Sequence, residues 1–261
     1  MRSREIPTAV SIAGFDPSAG AGVVADIRTF NNFGIHGVGV ITAITSQNSR
    51  GVQDVCNVNP KTVISQLESL FDDFNIKVIK IGMLGSAQVT KAVARFIAGS
   101  HPRIPVVLDP VLKSTSGAIL LENKAVDALK NGIIPLCTIV TPNLEEAEFL
   151  CGFPVKKTED MKKAAMIISR LGPKSVLIKG GHLKGGSTDV LFIDGKFTLL
   201  VGKRFPWSGH GSGCRLSSAI AAGLARDESI CLAVKNAKNY ISSLFEKGPC
   251  RPGTGADYFR D

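Results

Sequence analysis

The sequence predicts an α/β protein with one doubly wound, mostly parallel sheet and helices on both faces. Three observations carry that expectation. Short apolar runs alternate with amphipathic stretches about three turns long. Polar and glycine-rich motifs follow the apolar runs, after residues 13, 44, 81, 109, 141 and 179, where open sheets of this kind bind ligands. A single late turn signal, Asp194-Gly195, adds an antiparallel hairpin. The 261 residues, 44% hydrophobic and 20% charged, suffice for one large core. With no linker or internal repeat, residues 1–261 read as a single domain.

The elements follow in order. Residues 8–13 are a run of small and branched apolar residues, a buried strand. A glycine-rich loop leads to a helix over 22–33. Strand 37–44 follows, then a helix over 60–70 with Val63, Leu67 and Leu70 on one face. Strand 76–81 precedes a helix over 87–97, and Pro105-Val-Val-Leu-Asp109 is a strand closed by an acid. Strand 137–141 ends in polar residues and a proline. Helices over 144–151 and 159–171 come next, and strand 175–179 ends in Gly180-Gly181. Residues 190–201 form the hairpin, and two helices, 214–224 and 230–245, end the pattern.

Composition excludes several classes. Gly 27 and Pro 13 are near average, which excludes collagenous and disordered chains. No apolar run approaches the ~18 residues of a membrane helix, and the N-terminus lacks the apolar core of a signal peptide. A cytoplasmic protein with no membrane partner is expected. The six cysteines show no C-x-x-C pair, and the four histidines are scattered, so a His/Cys metal site is not expected. Five cysteines read as small apolar fillers in a reducing compartment. The net charge of +9 is spread along the chain, and aromatics reach only 6%, too few for a nucleic-acid stacking surface. An anionic small substrate explains the basic excess as well.

Four motifs carry chemistry. Gly20-Ala-Gly-Val-Val-Ala25 fits a dinucleotide fingerprint, but no acid occurs from Ile27 through Gln53 to hold a ribose. A loop shaping a substrate pocket is preferred over a dinucleotide site, and a purely structural turn stays open. Gly209-His-Gly-Ser-Gly-Cys214 precedes an apolar helix. Its backbone N–H groups and the helix start could form an anion hole for a phosphoryl group. Cys214 in the first turn would have a lowered pKa and could accept a proton. A glycine loop merely entering a buried helix fits as well. Thr141-Pro-Asn-Leu-Glu-Glu146 reads first as a helix cap; with Asp109 it could also hold magnesium. Lys179 ends a strand before two glycines, facing either nucleotide phosphates or solvent. No P-loop, protein-kinase string or nucleophile elbow occurs.

Together these strings resemble the hydroxymethylpyrimidine and phosphomethylpyrimidine kinases of thiamine biosynthesis, within the ribokinase superfamily. The resemblance runs from about Thr8 to Lys247. It includes residues 13–22 with Ala25-Asp26, residues 41–52 around Gln47-Asn48, Lys80-Ile-Gly-Met83-Leu84, Leu108-Asp-Pro-Val111, Thr141–Ala147, Lys179–Leu183 and His210–Cys214. It implies a ribokinase-like kinase domain, a transferase that phosphorylates 4-amino-5-hydroxymethyl-2-methylpyrimidine, and its monophosphate, with ATP and Mg²⁺. It implies Gln47 at the pyrimidine edge, with Gly14, Ala21, Met83 and Val111 around the ring and Asp26 as a polar contact. Cys214 is implied as the base, the N–H groups of Gly211, Ser212, Gly213 and Cys214 as the anion hole, Asp109 and Glu146 near the metal, and Asn143 and Lys179 near the nucleotide. Relatives are often homodimers.

Three positions depart from the family pattern. Phe15 replaces a small or hydroxylated residue, Thr115 stands directly before Ser-Gly with Lys113 two earlier, and Arg215 replaces the usual Thr beside the anion hole. The rival readings are a pyridoxal kinase of the same fold and a non-catalytic pyrimidine-binding module. Gln47-Asn48 favours the aminopyrimidine, since a carboxamide offers both donor and acceptor.

Overall fold

The first apolar run forms β1 (Thr8–Phe15), buried along all but its last residue. It lies between β2 (His36–Asn48) and β4 (Ile76–Ile81), parallel to both. Because the chain steps first to one side of β1 and then to the other, a topological switch point opens at the carboxyl ends of β1 and β4. The computed structural model describes residues 6–101, 103–112, 123–181 and 187–260. Within them the sheet continues through β5 (Val106–Leu108), β6 (Ile139–Val140) and β7 (Ser175–Ile178), all parallel. It has nine strands, with β3 (Gly51–Asn57) at one edge and β8 (Ser187–Ile193) and β9 (Lys196–Gly202) at the other. These three pair antiparallel. The α/β class read from the alternating pattern is the one observed.

Helices cover both faces, and the pleat of the strands divides the core between them. On one face Val10 and Ile12 of β1 pack with Val63 and Leu67 of α2 (Pro60–Asp73) and Val89 and Val93 of α3 (Ala87–Ser100). The same layer takes α4 (Asn123–Ala128), α5 (Leu144–Cys151) and α6 (Thr158–Ser169). On the other face Ala9, Val78 and Val107 meet Phe30 of α1 (Gly22–Asn32), Ile220 of α7 (Ser212–Ala225) and Val234 of α8 (Ile230–Glu246). Helix α7 is buried on every side from Arg215 to Ala225, with the polar groups of Arg215, Ser217 and Ser218 hydrogen-bonded inside and apolar residues on the rest. Its start is thereby held rigidly beneath the cleft.

Two expectations need correction. The sequence pattern ends the second strand at residue 44, but β2 continues to Asn48 and returns through β3 across a turn at Ser49 and Arg50. Neither turn residue is a hairpin signature, and the half-exposed polar residues of β3 hide its alternation. Of the five cysteines read as fillers, only Cys137 is core; Cys56 and Cys231 are exposed, and Cys151 and Cys250 are half-buried. No helix among the described residues is long and apolar enough to cross a membrane.

Candidate active site

A cleft of about 1710 Å³ opens over the carboxyl ends of β1, β4 and β5. Gly14, Ala21, Gln47, Met83, Val111, Asp109, Asn143, Glu146, Lys179 and Gly211 to Cys214 all line it. Sequence segments up to 200 positions apart therefore meet on one surface. Asp26 does not line it. Its side chain is wholly buried on α1, where Oδ2 accepts from Ser11 and Lys80 and Oδ1 accepts from Ser218. The expected substrate contact at Asp26 is thus a structural and electrostatic group below the floor.

One end of the cleft is lined by Gly14, Phe15, Gln47 and Met83. Gly14 stands where β1 bends out of register with β2. Any side chain there would press on the Met83 sulfur at 3.0 Å, so glycine lets Met83 lie against the floor. Gln47 sits at a β-bulge: Ser46 pairs with Asp54, Gln47 with Val52, and the extra residue Gln53 re-aims the strand. Its amide meets His210, which in turn meets Asp16. Phe15 is half-buried on this wall and narrows it.

The other end is charged. Lys179 Nζ donates to Asp109 Oδ1 at 2.7 Å and stands 4.0 Å from Glu146 Oε2. Asn143 caps α5 and forms a capping box with Glu146, whose Oε2 accepts from the Asn143 N–H at 2.8 Å. The plain capping reading of this motif is therefore realised, and it also aims the Glu146 carboxylate at Lys179. Burial drives the Glu146 pKa up to about 7, against the pull of Lys179. Burial would lower the Lys179 pKa, but Asp109 and Glu146 outweigh it and raise it.

Helix α7 begins between the two ends. Gly211 has a left-handed φ of 76°, and a β-carbon there would run into the Gly20 carbonyl, so only glycine fits. No side chain caps this helix start and its first turn holds no acid; the Ser212 N–H donates to the Gly209 carbonyl at 3.3 Å, and Gly211, Ser212, Gly213 and Cys214 all line the cleft. A β-carbon on Gly213 would stand 3.3 Å from Lys179 Nζ and 3.4 Å from Asp109 Oδ2, a measure of how tightly loop and ion pair converge. The Arg215 guanidinium is turned inward, donating to the Gly20 carbonyl at 2.7 Å and stacking over Phe259. The other departures, Lys113 and Thr115, lie outside the described residues.

Cys214 contradicts one expectation. Burial pushes its thiol up to about 11, although Lys80 pulls it down. Desolvation outweighs the helix start. Lys80 had no assigned role in the sequence reading. It is fully buried, lines the floor, and is paired with Asp26 at 2.7 Å. Its signal was legible: a lysine inside the buried run Ile76–Ile81 and an acid inside the apolar helix α1 each need a partner.

The chain is similar over most of its length to known proteins. The family model described as phosphomethylpyrimidine kinase matches residues 16–258. The hydroxymethylpyrimidine/phosphomethylpyrimidine kinase of Aquifex aeolicus is 44% identical over 240 residues, covering 91% of this chain and 94% of its own. The crystal structure of phosphomethylpyrimidine kinase from Clostridium difficile 630 superposes with a TM-score of 0.82 at 39% identity, covering 92% of this chain and all of that one. The pyridoxal kinase of Staphylococcus aureus, in complex with AMP-PCP and pyridoxal, gives 0.89 at 32% identity, covering 98% and 94%.

Proposed function

The chain belongs to the phosphomethylpyrimidine kinase family, and from that premise we propose that it phosphorylates 4-amino-5-hydroxymethyl-2-methylpyrimidine with ATP, and then the monophosphate, in thiamine biosynthesis. The observation that carries this reading is the position of α7: its start, with no side-chain cap and no acid in its first turn, lies between the Met83 and Gln47 end of the cleft and the Lys179 ammonium. The ring lies among Gly14, Ala21, Met83 and Val111, with its edge on the Gln47 amide. The nucleotide phosphates lie toward Asn143 and Lys179. The hydroxymethyl oxygen attacks the γ-phosphorus, the bond to the β-phosphate oxygen breaks, and ADP leaves. The N–H groups of Gly211, Ser212, Gly213 and Cys214 steady the charge on the group in transit.

Cys214 takes the hydroxymethyl proton. A thiol raised to about 11 is a weak presence as thiolate at neutral pH. Turnover therefore climbs as pH rises above neutral, with the thiolate fraction.

Magnesium fits the donor set. Among the described residues no group of three or more His, Cys, Asp or Glu could cage a metal, but Mg²⁺ needs only one or two carboxylates beside phosphates and water. Asp109 and Glu146 would hold it, and when bound it neutralises phosphate charge. In this reading the protein works in the cytoplasm as a homodimer. The apolar row Phe197, Leu199 and Val201, exposed on β9, is a surface such a pairing would cover.

Initial rates with the pyrimidine and with pyridoxal, for wild type and Cys214→Ala across neutral to alkaline pH, test the proposal. The pyrimidine should be the better substrate. Cys214→Ala should lose about 10²–10⁴-fold in kcat with little change in KM, and lose the alkaline rise. A preference for pyridoxal would replace the substrate, binding without turnover would leave only a pyrimidine-binding module, and near-normal kcat in the variant would remove Cys214 from the base role.

A further inference from the structure

Three side chains from distant parts of the chain meet at the ring end of the cleft: Asp16 after β1, Gln47 at the bulge of β2, and His210 before α7. The Asp16 carboxylate is saturated as an acceptor. Its Oδ1 takes the Ser18 N–H at 2.8 Å and the Ser18 hydroxyl at 2.7 Å, while Oδ2 takes the Ala21 N–H at 3.0 Å. The Ser18 oxygen in turn accepts from the Tyr258 hydroxyl at 2.7 Å. Burial would raise the Asp16 pKa, but His210 and Ser18 prevail and lower it, so the group is ionised.

His210 Nε2 lies 2.9 Å from Asp16 Oδ2. An ionised carboxylate can only accept, so Nε2 bears the hydrogen. The same nitrogen lies 3.1 Å from one end of the Gln47 amide. A ring nitrogen that carries hydrogen cannot accept, so the amide end facing it must be the oxygen. The opposite end accommodates this. Thr45 has one hydroxyl hydrogen, donated to the Phe15 carbonyl at 3.0 Å. An amide N–H at the end 3.3 Å from Thr45 Oγ1 meets a lone pair of that hydroxyl. Drawn with its nitrogen toward His210, the amide would set donor against donor; turned, it shares the single Nε2–H with Asp16 Oδ2. The histidine contact therefore decides between two ends of nearly one outline.

We propose that His210, fixed as an Nε2–H donor by Asp16, is a positioning residue that holds the Gln47 carboxamide with its oxygen toward the histidine and its nitrogen toward Thr45. The inference rests on the pyrimidine reading above and deepens it. In this orientation one lone pair and one N–H remain for the cleft, in fixed order. An aminopyrimidine edge offers a ring nitrogen beside an exocyclic amine, the complementary pair. The order matters because the hydroxymethyl arm sits next to the amine. Reversing the amide would turn the ring over and carry the arm to the other side, away from the start of α7. His210 thus governs which way the substrate faces.

The test has one arm that does not depend on turnover. Ring-nitrogen NMR of the whole wild-type protein with ¹⁵N-labelled histidine should show hydrogen on His210 Nε2 at neutral pH; an unprotonated Nε2 overturns the proposal. In the second arm, His210→Phe, which keeps a ring without the N–H, should lower kcat/KM for the pyrimidine about tenfold. Its KM for ATP should change little, and His210→Asn, which restores an N–H donor, should recover part of the loss. An unchanged pyrimidine kcat/KM in folded His210→Phe protein overturns the proposal, as does an equal loss for ATP. Should wild-type protein turn over no pyrimidine, the substrate reading fails by itself, and the proton on Nε2 still decides the arrangement.

Discussion

Two lysine–aspartate pairs approach α7, both with a separation of 2.7 Å, and they differ in nearly everything else. Lys80 and Asp26 are sealed, with both side chains at 0% exposure, and Ser11 and Ser218 also donate to the carboxylate. Lys179 and Asp109 are 16% and 3% exposed, open on the cleft, and share their field with a third charge on Glu146. Equal length says nothing about role. A buried pair acts through its field, which reaches Cys214 one turn above Ser218 on α7. A pair open to the cleft can trade partners, and phosphate oxygens are the partners an ammonium would trade for.

The comparison breaks most visibly by removing each ammonium. Lys80→Met strands an ionised carboxylate in the core, and such losses cost about 3–5 kcal/mol. Lys179→Met leaves Asp109 beside the cleft, where water can reach it, so its cost in stability should be less than half as large. Chemical denaturation of both variants measures the contrast. Equal losses would show that exposure does not separate the pairs. The function assigned to each predicts the opposite ranking for the nucleotide: Lys179→Met should weaken ATP binding more than Lys80→Met does.

The same contrast explains what could be read from the sequence. The alternation of apolar runs and amphipathic stretches is a local signal, and it revealed the sheet, both helical layers and the placement of motifs at strand ends. The open pair was legible because Asp109 and Lys179 each close an apolar strand, where polar residues stand out. Asp26 enters as a substrate contact only through the family resemblance, whereas the fold turns it inward. The hairpin of β2 and β3 was missed because its turn lacks a marked residue pair. The rise of the Cys214 pKa was hidden for another reason: position in a first helical turn is local, but desolvation depends on everything packed around it.

Glu146 sharpens the comparison through pH. Burial raises its carboxyl from the ordinary 4.5 to about 7, although Lys179 pulls the other way. Between these values the folded protein holds a proton that the unfolded chain has released. The contribution to stability is therefore complete below 4.5 and is lost as pH rises through about 7. Without divalent cations, wild type should lose up to about 3 kcal/mol relative to Glu146→Gln across this window. Parallel denaturation curves for the two proteins over that range would show instead that Lys179 and Asp109 keep Glu146 ionised throughout. The sealed pair supplies the control, since neither of its members opens on solvent.

The smallest effect separates two roles for one residue. Asn143 Oδ1 accepts the Glu146 N–H at 2.9 Å and caps α5, and Asn143 also faces the phosphate end of the cleft. Asn143→Ala should cost about 1 kcal/mol in stability, the usual loss of a helix cap. The reciprocal bond survives the change, because Glu146 Oε2 accepts from the backbone N–H of position 143 and not from its side chain. The carboxylate therefore stays aimed at Lys179, and the charged end of the cleft keeps its geometry. Any rise in the KM for ATP then reports a direct contact of the Asn143 amide with nucleotide, and a neutral hydrogen bond predicts roughly a two- to tenfold rise. An unchanged KM beside the lost stability would reduce Asn143 to the cap alone, and would leave Lys179 to meet the nucleotide by itself.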